Sequence, residues 1–390
     1  MSSLKYWIWL STLSGVGAAT VSSLLGFFGD PEKVHAANVS DYLEVDGVSS
    51  ADIARLMDKD LGPSEKALAD CAATGCRAIT IQDEEYPDRL KSIFDPPGVL
   101  FIQGRLPSVD EEPAVAVVGT RGCSPYGRKS AERIGYRLAS SGIIVVTGLA
   151  RGVDSAVSHG ALRGGGRVIG VVGTGLDIVY PRENKTLFED IARTGAIVSE
   201  YPPGTPPNPW HFPARNRIIS GMSLGVAVIE APQKSGALIT ASRALEQGRD
   251  VFVLPGNVDA KNSIGSNRLL REGAIPILSG DDIVSEYADL FPGIIKQPDT
   301  LDNRDGSGSG KSKKTFDNES EVDYIDFGKT ISSLNGDERT VAEAVLRGLS
   351  GADDIIEDTG LAAHKVLTAL TMLEIKGSIS RSGGLYKPKT

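Results

Sequence analysis

The segment Val115–Gly127, V-A-V-V-G-T-R-G-C-S-P-Y-G, indicates how the centre of this chain folds. Its first four residues are small or β-branched and apolar, which favours a short buried strand over a helix. A glycine-rich turn follows, and then a helical pattern over Arg128–Ser140. Such a turn can direct backbone N–H groups and a helix dipole at an anion. We therefore expect an anion site at this turn, where Arg121 could hold a phosphate through two hydrogen bonds.

The same strand–turn–helix pattern recurs from Pro113 to about Tyr287. Alternating strands and helices predict an α/β fold with a doubly wound, mostly parallel sheet and helices on both faces. Two runs before this region, Ala78–Ile81 and Val99–Ile102, are typical of edge strands near proline turns. The predicted strands of the main sheet are Val115–Val118, Ile143–Thr147, Val168–Val172, Ile197–Ser199, Val226–Ile229, Val251–Leu254 and Ile275–Leu278.

The regions flanking this sheet have different patterns. Leu13–Leu25 and Leu43–Leu56 each place a glycine turn before a helical pattern, as in helix–hairpin–helix units that touch DNA phosphates. Neither turn carries Lys or Arg, so a small helical bundle is the favoured interpretation. Later, a polar Gly/Ser-rich stretch predicts a flexible linker, and helical patterns followed by two strand-like runs predict a winged-helix module. The expected parts are residues 1–73 (helical), 74–291 (the sheet domain), 292–323 (linker) and 324–390 (winged helix).

Charge and cysteine content restrict the function and the location. The net charge of −9 argues against a protein that coats nucleic acid through bulk positive charge. Residues 113–286 nevertheless hold 19 basic and 15 acidic side chains, a local balance of +4. The three cysteines lack metal-ligand spacing, which favours reduced thiols in the cytoplasm. Tyr6–Gly29 has no charged residue, but its serines, threonines and glycines make it a poor membrane segment.

The loops that leave the carboxyl ends of parallel strands meet at one edge of a sheet, where ligands bind. Here almost every such loop is rich in Gly or Ser, which suits a ligand with several phosphates. The densest cationic motif is His211–Gly221, H-F-P-A-R-N-R-I-I-S-G. With Pro213 as the helix start, Arg215 and Arg217 fall in the first turn, where the dipole disfavours cations unless an anion binds.

Other residues of these loops have two interpretations each. Phe212 is either a ring on which a base stacks or a core residue, and the arginines either contact the ligand or pair with Glu200 or Glu230. Ser235, between Lys234 and Gly236, either contacts a phosphate or acts as an ordinary helix N-cap.

No catalytic constellation is recognisable in the sequence. The triphosphate-binding pattern G-x-x-x-x-G-K-[ST] is absent, and the first loop is not G-x-G-x-x-G. Cys123 is better explained as a turn residue than as a nucleophile, and His159 and His211 lack a motif that nominates a base. Asp154 and Asp177 follow glycine turns, which favours a capping or bracing role over metal or acid–base chemistry.

The motifs together resemble those of the DprA/Smf family of DNA-processing proteins. The shared segments are V-A-V-V-G-T-R, T-G-L-A-R-G-V-D, G-T-G-L-D-I-V-Y-P-R-E-N, S-E-Y-P-P-G, H-F-P-A-R-N-R-I-I-S-G, S-G-A-L-I-T-A and V-F-V-L-P-G-N. They occur in family order over about Ala73–Tyr287, and the helical and winged-helix-like ends fit the family's three-part layout, whose N-terminal part is SAM-like or helix–hairpin–helix-like.

The resemblance implies an extended Rossmann-like domain that binds single-stranded DNA without a cofactor or metal. It also implies a homodimer that protects incoming single strands and loads the RecA recombinase onto them in natural transformation. The DNA-binding residues carried over by motif are Gly119, Thr120, Arg121, Phe212, Arg215, Asn216, Arg217, Lys234, Ser235 and Gly236.

Two functions of other classes remain alternatives. A nucleotide-processing enzyme of the phosphoribohydrolase type would need an acid–base pair near the glycine loop. A structural adaptor would use the loops only as tight turns, which leaves the two arginines of the His211–Gly221 motif unexplained.

Overall fold

The structure is a computed structural model that describes residues 3–296, 336–346, 349–375, 379–382 and 385–388. These residues form two compact units, divided between Asp302 and Asn303. Most of the predicted linker lies outside the described residues. Its first residues, 292–296, are folded, since Ile295 is buried and the Lys296 N–H donates to the Ser141 carbonyl at 3.0 Å. The linker prediction therefore began a few residues too early.

Within the described residues of the first unit, nine strands form one sheet in the order β1-β2-β6-β5-β4-β3-β7-β8-β9. All neighbouring pairs from β6 to β9 are parallel, whereas β2 runs antiparallel to both β6 and β1. The predicted doubly wound, mostly parallel sheet is thereby confirmed. The strands are β1 (Arg77–Thr80), β2 (Val99–Gly104), β3 (Ala114–Val118), β4 (Ile144–Thr147), β5 (Val168–Val172), β6 (Ala196–Ser199), β7 (Gly225–Val228), β8 (Asp250–Val253) and β9 (Ile275–Pro276).

Helices cover both faces of this sheet, because successive side chains of β3 are apolar and point to opposite faces. Val115 and Val117 face one apolar core, and Ala114, Ala116 and Val118 face the other. The helices that flank the sheet are α7 (Asp88–Lys91), α8 (Pro125–Ser140), α9 (Val153–Arg163), α10 (Lys185–Thr194), α11 (His211–Gly221), α12 (Gly236–Glu246), α13 (Ile264–Arg271) and α14 (Gly280–Tyr287).

The N-terminal helices belong to the same compact unit as the sheet. Trp7 and Ile8 pack into one core of the sheet, while Trp9 and Leu10 pack into the core of the helical part. Tyr6–Gly29 is divided between two short helices, and no helix in the described ranges is long and apolar enough to span a membrane. The helices are α1 (Leu4–Thr12), α2 (Ala18–Phe28), α3 (Pro31–Ala36), α4 (Val39–Leu43), α5 (Ser50–Leu56) and α6 (Gly62–Thr74).

The second unit has the predicted winged-helix order of helices followed by a hairpin. Its described elements are α15 (Asp337–Leu346), α16 (Ala352–Thr359), α17 (Ala363–Ile375), β10 (Ile379–Ser382) and β11 (Leu385–Pro388). The two strands pair antiparallel, with Ser382 opposite Leu385. Val341, Leu370 and Ile379 belong to its own apolar core.

Candidate nucleic-acid interface

A cleft of about 500 Å³ opens at the carboxyl edge of the sheet. The loops after β3 and β7 lie on its two sides. The chain reverses its direction of winding here, because β4, β5 and β6 lie on one side of β3, whereas β7 lies on the other side. Ligands of doubly wound sheets bind at such a switch point. We call it the switch-point cleft; its lining includes Gly119, Thr120, Arg121, Ala150, Asp154, Tyr180, Pro209, Phe212, Pro213, Arg215, Asn216, Ile219, Lys234, Ser235, Gly236 and Thr240.

Nine of the ten residues predicted to bind DNA line this cleft. They come from three separate segments, which the parallel strand order brings to one edge. The exception is Arg217. The structure thus places the predicted residues together, whereas their contact with DNA stays a prediction.

The first glycine loop contributes to the cleft in a different way from the predicted one. The carboxylate of buried Glu230 accepts hydrogen bonds from the backbone N–H and the hydroxyl of Ser124, the N-cap of α8. The protein's own carboxylate therefore occupies the start of α8, where the sequence predicts a bound anion. Gly119 is needed for packing, since a Cβ there would lie 2.5 Å from Val153. The exposed Arg121 side chain remains available to a ligand.

Helix α11 begins at His211 rather than at Pro213, so the two arginines lie in its second turn. The start of the helix is held in place because the His211 ring stacks on Tyr201 at 3.9 Å between centroids. The prediction that a bound anion must offset the charge of two arginines in the first turn is therefore wrong. The objection to a structural adaptor depended on that prediction and is wrong as well.

Arg217 is paired within the protein, which is the alternative that the sequence left open. Its guanidinium donates two hydrogen bonds to the Glu200 carboxylate, at 2.9 and 2.6 Å, and a third to the Asp95 carbonyl at 2.8 Å. The side chain is largely buried. Arg217 thus joins α11 to β6 and to the loop before β2, beside the cleft but not in its lining.

Arg215 lines the cleft but is 95% buried. One guanidinium nitrogen donates to the carbonyls of Gly148 and Val171, so the side chain ties α11 to the ends of β4 and β5. Its Nε is buried without a hydrogen-bond partner, which is costly for a charged group. Replacing Arg215 by alanine would remove this tie, so we expect that change to destabilise the fold.

Asp154 is the one carboxylate among the described residues of the cleft lining. It lies beside Arg215 and accepts a hydrogen bond from the Ala150 N–H at 3.3 Å. Burial raises the pKa of this carboxyl to about 6, and the nearby Arg215 opposes that shift. The bracing role that we predicted for Asp154 agrees with these contacts.

Four further side chains, one aromatic and three polar, complete the lining of the cleft. Phe212 is half-buried, and its ring has Arg121 5.4 Å from the centroid and the Tyr180 ring at 5.5 Å. Ser235 is the N-cap of α12. Its hydroxyl accepts a hydrogen bond from the Ala237 N–H at 3.3 Å, as predicted for a helix N-cap. Asn216 donates to the Gly236 carbonyl at 3.2 Å, and Lys234 is exposed.

Some residues at this edge were missed from the sequence. Tyr180 lines the cleft, and Trp210 lies directly before the cationic motif His211–Gly221. The signal that could have found both is an aromatic residue in a loop that leaves the carboxyl end of a strand.

Comparison with known proteins identifies the family. Residues 77–288 match the sequence model described as DNA recombination-mediator protein A, and residues 328–384 match the DprA winged helix domain. The chain belongs to the DprA/Smf family. Its relatives include Protein Smf of Synechocystis sp., which is 34% identical over 98% of each chain. DNA processing protein DprA of Streptococcus pneumoniae is 46% identical over 54% of this chain and 74% of that protein.

Two solved DprA structures are also similar. The X-ray structure of DprA from S. pneumoniae has a TM-score of 0.63 at 38% identity and covers 72% of this chain and 97% of that one. DprA from Helicobacter pylori, whose structure was determined for its single-stranded DNA binding mode, has a TM-score of 0.50 at 30% identity. It covers 55% of this chain and 96% of that one.

Proposed function

We propose that the switch-point cleft binds the backbone of single-stranded DNA, and that the protein mediates recombination by binding rather than by turnover. The observation that carries the proposal is the arrangement of three cations around one cleft. Arg121 and Lys234 are exposed on the loops after β3 and β7, and the buried Arg215 lies between these loops with an unpartnered Nε. The DNA-binding residues we propose are those nine that line the cleft, with Arg121 and Lys234 making the phosphate contacts.

The form of the cleft favours a single strand over a small phosphorylated ligand. The cleft is open to solvent, and the rings of Tyr180 and Phe212 line it. Cations that follow a backbone, together with rings on which bases stack, are typical of proteins that bind single strands without sequence preference.

Fluorescence anisotropy of labelled oligonucleotides tests this proposal. We expect oligo-dT to bind more tightly than a duplex of the same length, with little dependence on sequence. Affinity should fall roughly sevenfold between 50 and 200 mM salt if Arg121 and Lys234 each contact one phosphate. Binding that is independent of salt, or release of free base from nucleoside monophosphates, would favour the enzyme instead.

We further propose that the protein acts in the cytoplasm as a homodimer that protects the strand and loads RecA onto it. Strand β9 is a sheet edge, and Leu278, two residues beyond it, exposes apolar surface. Val258 and Ile264, which line one groove, are exposed apolar residues as well. A second copy would cover this surface and the open edge. Sedimentation equilibrium of the wild-type chain and of a Leu278→Arg variant tests the dimer. A wild-type chain that sediments as a monomer would rule the dimer out. RecA filament formation on coated strands tests the loading.

A further inference from the structure

Trp210 is the exposed tryptophan of this chain. Trp210 is 81% exposed, whereas Trp7 and Trp9, the other two tryptophans, are buried side chains of α1. A large aromatic side chain is seldom left so open to water, and exposed apolar surface of this kind marks sites of interaction. Its position points to the ligand of the switch-point cleft, because that cleft is lined by Pro209 and Phe212, which flank Trp210 in the sequence.

The backbone at Trp210 is held by hydrogen bonds. The Trp210 N–H donates to the Asn208 side-chain oxygen at 3.1 Å, and the His211 N–H donates to the Asn208 carbonyl at 3.0 Å. Trp210 is also the N-cap residue of α11. The ring is therefore presented from a fixed point at the mouth of the cleft, which lowers the entropy lost when a ligand packs against it.

The ring predicted to stack on a base, Phe212, is already engaged. The Arg121 guanidinium lies 5.4 Å from its centroid, and the Tyr180 ring lies 5.5 Å away on a tilted plane. These two neighbours therefore take up part of the ring surface on which a base could stack. Trp210 has no such ring or cation contact among the described residues, so its indole offers free stacking area.

We propose that Trp210 stacks on a base of the single strand as the strand leaves the switch-point cleft. This base subsite lies outside the cleft lining and rests on the proposed function, because it needs a strand in the cleft. Any base has a π face, so the subsite adds affinity without sequence preference. It also extends the proposed DNA-binding surface beyond the phosphates held by Arg121 and Lys234.

The test combines intrinsic fluorescence with anisotropy on the full chain. Because Trp7 and Trp9 are buried, oligo-dT should quench the Trp210 emission, and an oligonucleotide of the same length made of abasic units should not. Trp210→Ala should weaken oligo-dT binding at least about fivefold, the low end for loss of one stacked base. It should change the affinity for the abasic strand by less than about twofold, and Trp210→Phe should retain most of the binding.

Phe94 provides the matched control. It is 96% exposed, but neither Phe94 nor the residues on either side of it line the cleft, so Phe94→Ala should leave oligo-dT affinity unchanged. The inference is overturned if wild type binds oligo-dT without quenching, or if Trp210→Ala weakens the abasic strand as much as oligo-dT. Absence of any binding by the wild-type chain in anisotropy would instead overturn the proposed function.

Discussion

Replacing Arg121 and Lys234 together by alanine is expected to weaken oligo-dT binding by about 100-fold. Each removes one charge-assisted contact to a phosphate, and a contact of this kind contributes about 1.4 kcal/mol or more, which is tenfold in affinity. The slope of log affinity against log salt should also decrease by about 1.4, because two fewer counterion-releasing contacts remain on a single strand. Anisotropy titrations at several salt concentrations measure both effects.

The fold should tolerate this double change. Both side chains are exposed, and the Arg121 contact with the Phe212 ring contributes only about 0.5–1 kcal/mol at such a site. Arg243→Ala is the matched control, since Arg243 is an exposed arginine of α12 that pairs with Glu246 and does not line the cleft. Equal losses in the control and the double variant would mean that overall charge, and not the cleft, binds the strand.

Replacing Arg217 by alanine is expected to destabilise the sheet domain without preventing DNA from binding in the cleft. Removing one partner of a largely buried ion pair lowers the free energy of unfolding by about 3 kcal/mol, since the Glu200 carboxylate loses its partner. Urea unfolding followed by circular dichroism measures this loss. At temperatures where the variant is folded, oligo-dT affinity should stay within about twofold of wild type.

A double variant separates lost stability from lost binding. Arg217→Met with Glu200→Leu removes both charges, and it should recover most of the stability because no carboxylate is left buried beside an apolar side chain. Asp95, the third member of the group, is about half exposed and can be solvated by water. If Arg217→Ala unfolds like wild type but loses the strand, Arg217 is a DNA contact as the sequence first predicted.

Strand positions were predictable from the sequence because they depend on local chemistry. Val168–Val172 is a continuous apolar run, and it forms β5 with the same bounds. Glycine and serine loops at strand ends likewise located the cleft, since parallel strands bring those loops to one edge. At β9 the prediction extended two residues too far, where Ile277 and Leu278 continue beyond the strand that pairs with β8.

Some partners of individual charges were not predictable, because they come from distant parts of the chain, whereas the Glu200 partner of Arg217 is one of the two that the sequence offers. Arg217 contacts Asp95, 122 residues earlier, and Glu230 contacts Ser124, 106 residues earlier. Neither contact leaves a pattern in the local sequence. For Arg217 the structure shows the second of the two interpretations, pairing with Glu200, whereas the neighbouring Arg215 and Asn216 line the cleft.

The most direct test of the central claim is a crystal structure of the chain with bound oligo-dT. We expect phosphates within hydrogen-bond distance of Arg121 and Lys234, with the backbone following the edge of the sheet between the loops after β3 and β7. A strand bound elsewhere on the protein, with the switch-point cleft left empty, would contradict the account.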